Sequence, residues 1–118
     1  MKEKDRPQTK IRGHLIEKNI EIQDFQSRIQ NLGKGQIIVT PHALFRLAER
    51  QRKVFKEKVI IEYILNRMPI MVGIQYNKNF AVFYEYSKKE ALRIILDVKI
   101  NQIEVVTFYI INKNQIPK

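Results

Sequence analysis

The periodicity of this chain changes once, at Pro69, and that change constrains the fold more than any other feature. Beyond it come "IMVGIQY", "FAVFYEY", "LRIILDV" and "IEVVTFYI", four runs rich in β-branched and aromatic residues. Short polar links separate them: "NKN" at 77–79, "SKKEA" at 87–91 and "KINQ" at 99–102. Links of that length suit hairpins, so the runs predict a four-stranded antiparallel meander.

Before Pro69 the spacing is mostly helical. The span "GHLIEKNIEIQDFQSRIQNL" (13–32) sets Leu15, Ile16, Ile20, Phe25, Ile29 and Leu32 near helical spacing. It predicts a helix over part of its length, although "NIEIQDF" also alternates as a strand does. "GKG" at 33–35 ends it, and "QIIVT" reads as a short extended segment. In "VTPHALFRLAER" (39–50), Thr40 suits an N-cap and Pro41 the first helical position. A further helix is predicted over 56–67, "KEKVIIEYILNR", burying Val59, Ile60, Tyr63 and Ile64 before Pro69 stops it. Helices followed by strands give an α+β fold, with N-terminal helices packed on one face of the four-stranded sheet. Residues 13–118 form a single domain on this reading. Residues 1–12, with Lys2, Lys4, Arg6, Lys10 and Arg12 around Pro7, form a basic flexible arm.

Composition then narrows the function. Twenty-two Lys and Arg against 12 Asp and Glu leave a net charge of +10, which favours a polyanionic partner, nucleic acid above all. A lysine-rich, AT-biased coding sequence is the plainer explanation of the same charge. With no cysteine there is no disulfide or thiolate metal site, and His14 and His42 are too few for a histidine-rich one. No metal or other cofactor is expected. The start "MKEKDRPQTK" has no apolar stretch of the secretory kind, and no apolar run approaches the roughly 20 residues of a membrane span. A cytoplasmic protein without membrane contact is expected. Nucleotide-cradling glycine loops and the Gly-x-Ser-x-Gly hydrolase motif are absent.

The residues suited to chemistry cluster in the 39–50 stretch. His42, Arg46 and Arg50 stand at i, i+4 and i+8, which at about 100° per residue keeps them on one helix face. His42 sits in the first turn, where the helix dipole and Arg46 disfavour imidazolium and leave the neutral form that a general base requires. The plainer reading is an exposed histidine with no task. Arg46 and Arg50 offer two guanidinium forks to successive phosphates or to one developing anion. Salt bridges to Glu49 and Glu57 are their ordinary alternative. Yet six basic residues, Arg46, Arg50, Arg52, Lys53, Lys56 and Lys58, share this region with only those two acids. Arg52, Lys53, Lys56 and Lys58 are accordingly candidates for nucleic-acid contact. In the last run, Thr107 and Tyr109 alternate with Val106, Phe108 and Ile110. The second set reads as core, and the first puts two hydroxyls on the other face, where packing alone also explains them.

The pieces "TPHALFRLAER" and "VVTFY" resemble a small uncharacterised domain family whose members begin with a T-x-H-A-x-x-R-x-x-x-R helix and end in a V-T-x-Y strand. That family looks related to the RelE and BrnT toxins, which share a fold class with barnase, EndoU and the colicin ribonucleases. The resemblance spans 38–110 and implies a RelE-like fold. Where members often have a glycine-containing turn after the motif helix, this chain has "QRKVFKEK". The implied activity is metal-independent RNA cleavage by attack of the ribose 2′-hydroxyl on the adjacent phosphate. His42 would be the acid or base, Arg46 and Arg50 would stabilise charge, and Thr107 or Tyr109 would position the phosphate. The toxin of a toxin–antitoxin pair, with RNA and an antitoxin as partners, is the expected role. A non-catalytic nucleic-acid-binding module of the same fold and a protein-interaction domain are the alternatives.

Overall fold

The computed structural model describes residues 15–41, 43 and 56–117. Among them the chain forms, in order, β1 (Ile16–Ile20), α1 (Ile22–Ile29), β2 (Ile37–Val39), α2 (Glu57–Asn66), β3 (Met71–Gln75), β4 (Phe80–Glu85), β5 (Glu90–Val98) and β6 (Ile103–Asn112). Strands β3 to β6 pair antiparallel in sequence order, as their short links dictate. The four-stranded RelE-like meander under N-terminal helices is nevertheless corrected. The sheet has six strands in the order β1-β3-β4-β5-β6-β2, and it is mixed because β2 runs parallel to β6.

The first added strand comes from a segment whose local pattern is ambiguous, the second from the segment that reads as extended. Ile16 and Ile20 are four apart, a spacing that fits a helix face and a strand face equally well. Pairing with the free edge of β3 decides for the strand, with Lys18 opposite Ile74 and Ile20 opposite Val72. An irregularity between Ile16 and Lys18 then turns the two isoleucines to opposite faces, so each joins a different apolar cluster. The chain switches to helix at Glu21. Asp24 in the first turn of α1 and Arg28 in the last both complement the helix dipole, and Phe25 and Ile29 are buried one turn apart. Strand β2 lines Ile37 to Val39 up with Ile103 to Val105. No short-range pattern in "QIIVT" announces a partner so distant in sequence.

Helix α2 agrees with expectation within a residue at each end. Ile60, Tyr63 and Ile64 are buried and Val59 is partly buried against them. Arg67 at its end lies 4.4 Å over the Tyr63 ring and pairs with Glu62 at 3.4 Å.

Two apolar clusters sandwich the sheet. The main one joins Phe25, Ile29, Ile60, Tyr63 and Ile64 of the helices to Val72, Phe80, Val82, Tyr84, Leu92, Ile94, Leu96, Ile103, Val105 and Phe108. Each such side chain contributes about 1.5–3 kcal/mol by leaving water. The smaller cluster is on the other face, where Ala81, Phe83 and Ile95 lie under Ile16, Met71, Val106, Ile111 and Ile116. Val106, expected beside Phe108 in the main core, is therefore corrected. A register shift between Ile95 and Leu96 of β5 inserts an extra residue in β6 and turns Val106 outward.

Two positions test this packing. A Cβ on Gly73 would lie 2.8 Å from Ile16 Cγ2 and 3.2 Å from its Cδ1, so β1 crosses β3 closely only because no side chain intervenes. Gly73→Ala is expected to cost about 1–3 kcal/mol in denaturant unfolding and to weaken amide protection in β1 before the other strands. Tyr84 is 1% exposed, and its hydroxyl finds no hydrogen-bond partner among the described residues. Burial holds its phenol well above the usual range. Tyr84→Phe removes that unpaired hydroxyl and is expected to stabilise by about 1 kcal/mol. The pH effect has a definite sign. The folded chain keeps this proton where the unfolded chain loses it, so wild-type stability declines as pH rises above about 10, and the variant shows a flatter alkaline limb.

Candidate nucleic-acid interface

Strand alternation and register gather a group of polar side chains on the face opposite the helices. Phe83 of β4 stands opposite Arg93 of β5, and Arg93 opposite Tyr109 of β6. Two pairs further along, and so on the same face, Ile95 stands opposite Thr107. Residues directly opposite in an antiparallel pair share a face, so Arg93, Tyr109 and Thr107 all project from this outer side. Tyr109 is 40% exposed and Thr107 is half-buried.

The Arg93 guanidinium is held in place from three sides. Its Nη2 donates to Gln75 Oε1 at 2.9 Å. Its central carbon lies 5.2 Å from the centroid of the Phe83 ring and 5.8 Å from that of Tyr109. Cation–π attraction of this kind contributes about 0.5–1 kcal/mol where solvent reaches the ring and more where it does not. Burial pulls the guanidinium below its usual pKa range, and Tyr109 opposes that shift. An arginine in this setting remains charged at any physiological pH. The outer face thus presents a fixed cation, a phenol and a threonine hydroxyl on adjacent strands. Such a set can donate hydrogen bonds to a phosphate and stack against a base.

Of the sequence-derived candidates, Thr107 and Tyr109 lie on this face. Lys56 and Lys58 are exposed in the helix layer on the other side of the sheet, Lys56 at the N-cap position of α2 without a side-chain capping bond and Lys58 lining a groove of about 470 Å³ with Val59, Leu65 and Arg67. The structure does not bring those lysines together with Thr107 and Tyr109. His42, Arg46, Arg50, Arg52 and Lys53, like His14 and the arm, lie outside the described residues. The start of their segment is described. Thr40 Oγ1 accepts from the Ala43 N–H at 3.1 Å, as an N-cap does, and donates to the Val105 carbonyl of β6 at 3.1 Å. Ala43 is fully buried in the main core, on the helix side.

Sequence reasoning missed Arg93 and Gln75. A signal was present in "LRIILDV" and "IMVGIQY", where Arg93 and Gln75 interrupt otherwise apolar runs. Their meeting depends on register across three strands, which neither segment reveals alone. Charge is also unevenly spread. The described residues carry 12 Lys and Arg against nine Asp and Glu, and the rest of the chain carries ten against three. The described residues are therefore close to neutral, and most of the excess belongs, by sequence, to residues 1–12 and 42–55.

The chain matches no family model, no curated protein and no solved structure with which it was compared.

The double role of Thr40 yields a prediction. Thr40→Ala removes a cap and a tie to β6 together, and is expected to cost about 1–2 kcal/mol. Hydrogen exchange should show the β2 amides of Ile38 and Val39 losing protection before those of β5, whereas Thr40→Ser should behave as the native protein.

Proposed function

We propose that this protein acts on RNA, holding a backbone phosphate on the outer sheet face and cleaving the chain without a metal. The observation that carries the reading is the Arg93 guanidinium, fixed by Gln75 between Phe83 and Tyr109 and accompanied by Thr107. The net charge of +10 supports it, because a basic chain draws in a polyanion before any specific contact forms. The T-x-H-A-x-x-R-x-x-x-R resemblance supports the chemistry. In that chemistry the ribose 2′-oxygen bonds to phosphorus while the bond to the 5′-oxygen breaks. A base takes the 2′-hydroxyl proton and an acid returns one to the departing oxygen, which leaves a cyclic phosphate and a 5′-hydroxyl. His42 is assigned these transfers, Arg46 and Arg50 the neutralisation of charge, and Thr107 or Tyr109 the positioning of phosphate, with Arg93 added to the cations. An antitoxin partner and a cytoplasmic location belong to the same reading.

One observation favours a second reading, a non-catalytic RNA-binding module. Ala43 enters the core on the helix side, whereas Arg93, Thr107 and Tyr109 occupy the other face. A binder needs only the outer face.

Incubation of the purified protein with structured and single-stranded RNA separates the two. Under the first reading, cyclic-phosphate ends accumulate, falling about 10²-fold or more in His42→Ala and in Arg93→Ala. Salt-sensitive binding without cleavage, lost in Arg93→Ala alone, selects the second. Absence of binding at low salt overturns both and leaves a protein-interaction domain.

A further inference from the structure

We draw no further inference here: the strongest candidate, the groove of about 470 Å³ along α2 lined by Lys58, Val59, Ile61, Leu65 and Arg67, is an apolar stretch of helix surface, and nothing among the described residues shows what covers it.

Discussion

The pairing of β5 with β6 is the constraint on which the rest of the molecule depends. It runs from Glu90 opposite Asn112 to Val98 opposite Ile103, the longest ladder in the sheet. Strand β6 spends one edge on this hairpin and offers the other to β2, so the parallel addition requires the hairpin first. Thr40 hangs on the same strand through Val105. Beyond the hairpin's open end, the Lys113 N–H donates to the Lys89 carbonyl and the Lys113 ammonium pairs with Glu85 at 3.2 Å, which brings Ile116 onto the outer cluster. Loosening this one ladder would undo an edge strand, a helix cap and a terminal turn together.

The irregularity within that ladder gives the two faces their different characters. Up to the shift, alternation delivers Ile103 and Val105 to the main core; after it, Phe108 and Ile110 return there, while Val106, Thr107 and Tyr109 belong to the outside. The helix side becomes a continuous apolar layer. The outer side receives a smaller patch, Ala81, Phe83 and Ile95, with polar groups beside it. The apolar patch matters to the polar ones, since ordering by Phe83 and Tyr109 restrains a side chain that would otherwise lose conformational entropy on binding.

The parts legible in the sequence are those fixed by near neighbours. Thr40 before Pro41 announced a cap, and the Ile60, Tyr63, Ile64 spacing announced a buried helix face. Links of a few residues announced the β3 to β6 hairpins, and alternation placed Thr107 and Tyr109 together. What escaped was decided at long range. Residues 16–20 became a strand because β3 had a free edge; 37–39 is extended as its sequence indicates, but its parallel place beside β6 was decided at long range. Val106 left the core because of a bulge that only the paired register displays. Arg93 and Gln75 are 18 residues apart, and their meeting needs two hairpin registers to be right at once. The helical ridge expected of His42, Arg46 and Arg50 falls on residues outside those described.

Attraction and grip make different demands on charge. Long-range attraction scales with net charge and is screened beyond about 8–10 Å at physiological salt, so loosely placed basic residues serve it as well as ordered ones. Short-range recognition needs the reverse: few charges, held in one geometry, with the cost of ordering met before the ligand arrives. In this chain most of the excess positive charge falls, by sequence, outside the described residues, while the sheet holds one guanidinium against an amide and two rings. A protein that only needed solubility could carry its charge anywhere. One that captures a polyanion and then orients a single phosphate would gain from keeping the two tasks on different residues, which is the division the proposed function requires.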